Sequence, residues 1–473
     1  MKKILFTLFT ASLTFISIAQ SFKVSLESNY KSGYAYLAYH AGASLNVEDS
    51  AEVNSNGLAV FKGNRTLPPG IYAVVFPGKK FSIDFLVGKE QEISIKANTE
   101  DLSKIKISGT SENLLFQQYQ QFVAVKGKKL YEEKQAYLNA RNAKDSAMHE
   151  AGYNKTNKEL LNFRNNLIAT HPQSMMAIIL RAMKEPSFPD KVAVTKQDSI
   201  NNYQYYKNHY WDGISFMDDC IVRTPFFTPK LKRYYEEVLP QAADSIIKDA
   251  DYKLLLARSA PEMYKYLLNW LTDEYINPKY MGQDAIFVHL FQKYHSKGFS
   301  PWLNEKQMEV IARRAYMQMS NLIGEKAANL ELLDTAGKVS SLYDLKAGYT
   351  VVVFWDPSCG HCKTELPQID SMYRADWKNK NVKIYAVLNE HNLDDWKSYI
   401  RTHNLGEWTH VYQTLEMVKA DTEMQRPSFK QLYDVTQTPT LYLLDKEKRI
   451  VGKKLTLLQL NDLLQVKWSI SGK

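Results

Sequence analysis

The first hundred residues alternate hydrophobic and polar positions in short runs, as half-buried β-strands do. The runs Phe22-Lys23-Val24-Ser25-Leu26 and Glu92-Ile93-Ser94-Ile95-Lys96 follow this two-residue period. Turn-forming pairs such as Asn56-Gly57 separate the runs. The pattern predicts a small N-terminal antiparallel β domain, similar to a β-sandwich, over residues 20–108.

From about residue 110 the hydrophobic period changes to that of helices. A long polar helix is predicted from residue 111 to about residue 147, and prolines separate many of the helices that follow. The later predicted helices cover residues 154–170, 175–183, 230–239, 242–258, 260–275, 284–294 and 304–322. We assign residues 109–324 to an α-helical middle domain.

Beyond residue 325 the pattern alternates between strand and helix, which predicts an α/β domain over residues 325–473. The run Thr350-Val351-Val352-Val353-Phe354-Trp355 is apolar at every position but the first, as a central strand buried on both faces requires. This strand leads into the sequence Cys359-Gly360-His361-Cys362. With 473 residues the chain is too long for one hydrophobic core, so a multidomain architecture is expected.

The start of the chain is typical of an export signal. Lys2 and Lys3 precede an apolar stretch from Ile4 to Ile18, and Ala19 completes a small-residue cleavage site. We expect residues 1–19 to be a cleaved signal peptide and the mature protein to lie in the periplasm without a membrane span. The alternative is an uncleaved anchor, but the stretch is short for a span of about 20 residues.

The charge of the chain is mildly basic, with 60 Lys and Arg against 51 Asp and Glu, a net charge of +9. These charges are interspersed along the sequence. Nucleic-acid binding requires basic residues clustered on one face. No nucleic-acid partner is therefore predicted.

Cysteine usage indicates chemistry rather than crosslinking. An exported chain with 3 Cys has no disulfide framework, and two of the three form a Cys-X-X-Cys pair. Cys220 is either a third redox thiol or a buried small residue. A structural zinc site would need a second pair of ligands near the motif, and the sequence offers none. No metal and no cofactor are predicted.

The expected chemistry begins at Cys359, which falls where a strand gives way to a helix. The unpaired amide groups and the positive dipole of a helix N-terminus stabilise a thiolate, which makes Cys359 a nucleophile. Cys362 lies one turn further and is placed to resolve a mixed disulfide. Glu365 is three residues beyond Cys362, where it either accepts the proton of Cys362 or is a solvent-facing charge.

The motif from Trp355 to Pro367, together with Thr438-Pro439-Thr440, resembles the TlpA/ResA-like redoxin group of thioredoxin-fold proteins over about residues 325–467. The resemblance implies a thiol–disulfide oxidoreductase with a Cys359–Cys362 redox disulfide. It also implies that Pro439 is cis and faces this disulfide. Thr438 would then bind a substrate segment, and we expect Trp355 and His361 to contribute to substrate binding.

Two departures from thioredoxin are found in this part of the chain, and the first affects the expected proton transfer. The buried acid on the strand before the thioredoxin motif is matched here by Val353, so Glu365 becomes the substitute implied by the resemblance. The long separation between Cys362 and Pro439 indicates an inserted helix, expected over residues 394–403. The β domain and the helical domain resemble uncharacterised domains that precede redoxin domains in cell-envelope proteins.

The sequence therefore favours a periplasmic oxidoreductase that exchanges disulfides with envelope proteins and with a redox partner that the sequence does not identify. A thiol peroxidase is the first alternative, but peroxiredoxins need Thr or Ser three residues before the reactive cysteine, where this chain has Asp356. The second alternative is a redox-sensing or copper-carrying binding protein, since a soft Cys-X-X-Cys pair also suits copper(I).

Overall fold

The computed structural model describes residues 21–186 and 192–471. The predicted signal peptide, residues 1–19, lies outside the described residues. The chain divides into two compact units, the first comprising Met1–Leu239 and Lys253–Tyr266, the second Pro240–Tyr252 and Leu267–Lys473. The division falls inside the predicted helical region.

The N-terminal part of the first unit is built from β-strands. Their bounds are β1 Phe22–Ser28, β2 Tyr34–Ala41, β3 Ser44–Glu52, β4 Leu58–Gly63, β5 Gly70–Val75, β6 Ser82–Val87, β7 Glu92–Asn98 and β8 Asp101–Ser108. They form two four-stranded sheets, ordered β4-β1-β7-β8 and β3-β2-β5-β6. Alternation along β1 buries Phe22, Val24 and Leu26 in a core that both sheets share.

The predicted β-rich domain is confirmed, with one difference in its pairing. Strand β1 runs parallel to β7, with Val24 opposite Ile93, although the alternating pattern predicts antiparallel pairs throughout. Parallel neighbours need a long crossover between them, and the strands between β1 and β7 supply it. Alternation along a strand reports which face is buried and carries no information on strand direction.

Helices follow the β-strands as predicted, and the helical middle region is confirmed. The bounds are α1 Ser111–Leu138, α2 Ala143–Thr170, α3 Met175–Ala182, α4 Lys196–His209, α5 Phe227–Arg233, α6 Ala243–Leu256, α7 Pro261–Tyr275, α8 Asp284–Lys293 and α9 Glu305–Met319. Within residues 21–186 and 192–471, no helix combines the length and apolar character needed to cross a membrane.

Two helix predictions are corrected by the structure. The predicted helix to residue 147 ends at Leu138, because Asn142 caps a new helix by accepting a hydrogen bond from the Asp145 amide at 2.9 Å. Helix α4 is absent from the prediction. It buries none of its residues and so carries no apolar period, although a capping box of Thr195 and Asp198 begins it.

The C-terminal part of the second unit is a mixed seven-stranded sheet flanked by helices, ordered β10-β9-β13-β12-β11-β14-β15. Strand bounds are β9 Glu331–Asp334, β10 Val339–Ser341, β11 Tyr349–Trp355, β12 Val382–Leu388, β13 Thr409–Tyr412, β14 Thr440–Leu444 and β15 Ile450–Lys453. Helix bounds are α10 Gly360–Met372, α11 Leu393–Thr402, α12 Leu415–Glu423, α13 Phe429–Leu432 and α14 Leu457–Ser471. Strands β11, β12 and β13 are parallel, and β14 pairs antiparallel with β11. This is the expected thioredoxin-like sheet.

The central strand β11 is buried on both faces, as its apolar sequence predicts. Val351, Val353 and Trp355 enter the core on one face, which also contains Cys362 of α10. Val352 and Phe354 enter the core on the other face. The sheet therefore fixes the end of β11 from both sides and holds the following turn in place.

Candidate active site

The turn between β11 and α10 is built by Asp356 and Ser358. Oδ1 of Asp356 accepts hydrogen bonds from the Ser358 amide at 2.8 Å and from the Ser358 hydroxyl, an arrangement typical of an Asx turn. The Cys359 amide donates to the Asp356 carbonyl at 3.2 Å. Cys359 thereby becomes the N-cap residue of α10, with extended backbone angles. Its sulfur lies at the positive end of the helix dipole.

The two thiols of the motif differ in exposure. Cys359 is partly exposed, whereas Cys362 has 1% of its surface exposed and belongs to the core behind β11. The sulfur of Cys359 donates a hydrogen bond to the carbonyl oxygen of Thr438 at 3.2 Å. Thr438 precedes Pro439 through a cis peptide bond, as the resemblance implies. The motif and the loop before β14 therefore meet at the partly exposed sulfur.

The pKa of Cys359 is lower than that of an ordinary cysteine. Burial alone would raise it, but hydrogen bonds from the Thr438 side chain, from Cys362 and from the backbone of His361 outweigh that effect. The Thr438 carbonyl favours the thiol and the Thr438 side chain favours the thiolate. The net direction is downward because the helix N-terminus adds its amides to the second effect.

The pKa of Cys362 moves the opposite way. Burial raises it to about 12, and the neighbouring sulfur of Cys359 acts in the same direction, while a backbone hydrogen bond with Asp356 partly offsets them. The two sulfurs are close enough to titrate as a coupled pair. The exposed sulfur thus ionises first, and the buried one retains its proton.

Comparisons with known proteins agree with this geometry. The AhpC/TSA family matches residues 323–453, and a domain of unknown function, DUF4369, matches residues 21–116. The chain is 25% identical over 167 residues to the thiol-disulfide oxidoreductase ResA of Bacillus cereus strain ATCC 10987, covering 35% of this chain and 78% of that protein. It is 26% identical over 129 residues to ResA of Bacillus thuringiensis subsp. konkukian, covering 27% of this chain and 67% of that protein. The C-terminal domain contains the residues that match the AhpC/TSA family and is similar to the thiol-disulfide oxidoreductase ResA, so we call it the ResA-like domain.

Two solved structures illustrate the similarity of parts of the chain to known proteins. A thioredoxin-like protein from Bacteroides caccae ATCC 43185 has 22% identity and a TM-score of 0.45, covering 60% of this chain and 98% of that one. A domain of a possible thiol-disulfide isomerase from Cytophaga hutchinsonii ATCC 33406 has 35% identity and a TM-score of 0.28, covering 32% of this chain and 97% of that one.

The other predicted site residues of the ResA-like domain differ in exposure and in their contacts with the motif. His361 is exposed next to Cys359, and Thr438 and Pro439 are half-buried beside the motif. Glu365 is also half-buried, but within residues 21–186 and 192–471 it makes no hydrogen bond or ion pair that would connect it to Cys362. The predicted role of Glu365 as proton acceptor therefore has no contact in support of it.

The predicted substrate contact of Trp355 is corrected by its position. Its side chain has no exposed surface, because β11 is still covered on both faces where it ends. The Trp355 ring packs behind the motif, with its centroid 5.3 Å from that of Tyr399 and 6.1 Å from that of His410. Trp355 supports the motif from the interior of the domain.

Three residues near the motif are absent from the sequence-based prediction. Asp356 builds the turn, and Tyr399 and His410 surround Trp355. The signal for Asp356 is its position two residues before Ser358, where an Asx turn is favoured. Tyr399 has a weaker signal, the aromatic spacing of Trp396, Tyr399 and His403 along one face of the inserted helix.

The third cysteine differs from the motif pair. Cys220 belongs to the first compact unit, and burial, with a further contribution from Asp218, raises its pKa above the ordinary value. A thiol with a raised pKa is a poor nucleophile. Cys220 is half-buried, and its raised pKa favours the second of the two interpretations given by the sequence, a small packing residue. In the described part of the chain, no cluster of three or more His, Cys, Asp or Glu could hold a metal ion.

Proposed function

We propose that this chain is a periplasmic thiol–disulfide oxidoreductase that exchanges the dithiol and disulfide forms of Cys359-Gly360-His361-Cys362 with protein substrates. The observation that carries the proposal is the inequality of the two sulfurs. Cys359 is accessible and has a lowered pKa, whereas Cys362 is buried and has a raised pKa. Such a pair separates the attacking role from the resolving role.

In this proposal the exchange takes place in two steps. The Cys359 thiolate attacks one sulfur of a substrate disulfide, and the other substrate sulfur leaves as a thiolate. Cys362 then attacks Sγ of Cys359, which forms the Cys359–Cys362 disulfide and releases the second substrate sulfur. Two electrons have then passed from the dithiol to the substrate, and the reverse sequence oxidises a substrate dithiol.

The substrate surface of the proposal lies around Cys359. The contact between the Cys359 sulfur and the Thr438 carbonyl brings the loop before β14 to the site of attack. An extended substrate segment can pair with a strand-like backbone at such a loop. We propose that Thr438 and Pro439 shape this groove and that His361, exposed beside Cys359, contacts the substrate.

The proposed location and partners follow from the first residues of the sequence. A charged start, an apolar stretch and a small-residue cleavage site precede residue 20. An exported dithiol enzyme would act on thiols and disulfides of proteins in the cell envelope. A second envelope protein would then restore its redox state.

Reduction of insulin disulfides, followed by turbidity in the presence of dithiothreitol, tests the proposed function. We expect turnover by the wild-type chain, no turnover above background by Cys359→Ser, and accumulation of a mixed disulfide with insulin by Cys362→Ser. Cys220→Ser is the matched control and should retain wild-type turnover. Turnover that survives Cys359→Ser would contradict the proposal.

The same proteins distinguish the alternative functions. Peroxide consumption that exceeds insulin reduction would instead indicate a thiol peroxidase. Stoichiometric copper(I) binding without any dithiol turnover would indicate a carrier. Both outcomes would overturn the exchange function.

A further inference from the structure

The buried thiol Cys362 must lose its proton before it can attack, yet neither position at which an acid is expected, Val353 or Glu365, provides a carboxylate contact to it. Val353 is the strand residue that corresponds to the buried acid of thioredoxin, and it is fully buried and apolar. Glu365 has no hydrogen bond or ion pair within the described ranges and is not among the main causes of the pKa shift of Cys362. No carboxylate contact at these two positions assists the loss of the proton, and a hydrogen-bond donor that stabilises the resulting thiolate would favour that loss.

Tyr399 of helix α11 is placed to supply it. The same face of α11 buries Trp396 and Ile400 in the core that contains Cys362, and Tyr399 packs against this core. The Tyr399 ring lies between Trp355, at a centroid distance of 5.3 Å, and His403, with which it stacks at 3.9 Å. Two aromatic neighbours thus hold the direction of the Tyr399 side chain.

The hydroxyl group of Tyr399 is buried and has no hydrogen-bond partner among the described residues. A buried polar group without a partner destabilises the folded state. Such a group in a native fold calls for an explanation, and a role in catalysis is one. Burial raises the pKa of Tyr399, and negative charge at Cys362 raises it further, so the hydroxyl and the sulfur act on each other electrostatically.

Other buried polar atoms near Tyr399 also lack a partner among the described residues, including Oδ2 of Asp356, Nδ1 of His410 and the indole nitrogens of Trp355 and Trp396. A carboxylate oxygen such as Oδ2 of Asp356 accepts hydrogen bonds and cannot donate one to a thiolate. Nε2 of His410 is 2.8 Å from the Leu405 carbonyl, which can only accept, so Nε2 carries the proton and the unpartnered Nδ1 is an acceptor. An acceptor cannot stabilise a thiolate. Burial lowers the pKa of His410 to about 4, which keeps the ring neutral. The unpartnered Nε1 donors of Trp355 and Trp396 both have this acceptor ring as a neighbour, 6.1 and 6.2 Å away between centroids.

We propose that the hydroxyl of Tyr399 donates a hydrogen bond to the Cys362 thiolate during resolution of the mixed disulfide. This proposal rests on the exchange reaction proposed above. A hydrogen bond to an ionised group is roughly twice as strong as one between neutral groups. The Tyr399 hydroxyl then has no partner in the dithiol form because its acceptor, the Cys362 thiolate, is formed only during resolution.

The step is balanced without an additional reactant. The S–H bond of Cys362 breaks, and its sulfur attacks Sγ of Cys359, so that a Cys359–Cys362 bond forms. The bond between Cys359 and the substrate sulfur breaks, and its electron pair leaves with the substrate. The released substrate thiolate takes up, through solvent, the proton that Cys362 lost. Tyr399 keeps its own proton throughout and is a hydrogen-bond donor, not a base.

The mixed disulfide itself favours this step. In the dithiol form, the sulfur of Cys359 raises the pKa of Cys362 by its charge and by its hydrogen bond. Both effects disappear when Cys359 is bonded to substrate, which leaves burial as the main opposing factor. The other ionisable groups facing this region are Asp356 on the preceding turn, Glu365 on α10, and His403 and His410 beyond Tyr399.

Tyr399→Phe tests the proposal, because it removes the hydroxyl and keeps the ring that packs on Trp355. Full-length protein is mixed with a disulfide in which both thiols are chromophoric. Stopped flow then records release of the first thiol, on formation of the mixed disulfide, and release of the second thiol, on its resolution. We expect resolution to slow about tenfold or more, while formation of the mixed disulfide keeps its wild-type rate. In a Cys359→Ala background, the pH midpoint for alkylation of Cys362 should rise by about one pH unit.

Tyr412→Phe is the matched control, since Tyr412 packs on the same core with its ring 5.4 Å from Trp396. It should resolve at the wild-type rate. Thermal unfolding separates this role from a structural one, because loss of an unpartnered hydroxyl leaves the melting temperature of Tyr399→Phe unchanged or higher.

Three results would overturn the proposal or its foundation. Wild-type resolution by Tyr399→Phe, with Cys359→Ser still inactive, would remove the role of Tyr399 and leave the exchange function intact. A resolution defect in Glu365→Gln together with a normal Tyr399→Phe would assign the role to Glu365. Turnover by Cys359→Ser would instead contradict the exchange function itself.

Discussion

At the scale of single residues, the site depends on how burial and hydrogen bonding act on chemically identical groups. Cys359 and Cys362 are three positions apart, yet the pKa of one is lowered and that of the other is raised to about 12. Their spacing is visible in the sequence. The lowered pKa of Cys359 is also predictable, because the first thiol of such a motif meets the helix N-terminus, whereas the raised pKa of Cys362 follows from its burial in the structure.

Buried histidines give a residue-scale prediction about pH. Burial lowers the pKa of His295 and of His410 to about 4 each, below the ordinary value of 6.5. The unfolded chain binds protons at these positions near pH 6.5 and the folded chain only near pH 4. Stability is therefore complete above pH 6.5 and falls as the pH decreases through this window.

We expect each ring to cost about 2 kcal/mol of unfolding free energy between pH 7 and pH 5. Urea unfolding of the full chain at the two pH values measures the loss, and ring resonances in NMR spectra assign it. Both rings should still show neutral-form resonances at pH 5. A titration of either ring with a midpoint near pH 6.5 in the folded protein would contradict the burial argument.

At the scale of elements, the sequence predicts the strands and helices that depend mainly on neighbouring residues. Strand β11 and the start of α10 lie within short contiguous motifs, whereas the cis bond before Pro439 is what the resemblance to the redoxin group implies. Helix α11 is also found close to where the long separation between Cys362 and Pro439 predicts an insertion. For β11 and the start of α10, a few neighbouring residues determine the structure.

Features that join distant elements could not be predicted in the same way. Tyr399 comes from α11 and His410 from β13, and both meet Trp355 only after the sheet is assembled. The burial of Trp355 likewise depends on the helices that cover the sheet. Helix α4 is missed for a different reason. It buries no residue, so it has no apolar period, and its capping box is the one local signal of its start.

At the scale of the whole molecule, the chain has two compact units, and the Cys359–Cys362 pair lies in the second. That unit contains more than the ResA-like domain, because α8 and α9 belong to it. Lys453 on β15 forms an ion pair with Asp284 on α8 and hydrogen bonds with the Asn321 carbonyl and side chain at 2.8 and 2.7 Å. All these groups are buried. These contacts fix the last helices of the predicted middle region to the ResA-like domain.

This buried ion pair gives a prediction at the same scale. Lys453→Met leaves the Asp284 carboxylate uncompensated in the interior, so we expect a loss of about 3 kcal/mol or more in the free energy of unfolding. The double variant Lys453→Met with Asp284→Leu removes both charges and should recover much of that loss. Urea unfolding of the two full-length variants provides the comparison. A single variant as stable as the wild type would show that the pair does not hold these elements together.

The central claim concerns the ionisation of Cys359, and the pH dependence of its alkylation tests it most directly. The measurement uses the reduced full-length chain and iodoacetamide, with peptide mass spectrometry to separate Cys359 from Cys362 and Cys220. We predict that Cys359 reacts first and that its rate levels off at a pH below the ordinary cysteine pKa, while the other two sulfurs remain protected. A Cys359 rate that rises with pH like that of an unstructured cysteine, or that does not exceed the rate of Cys362, would contradict the account.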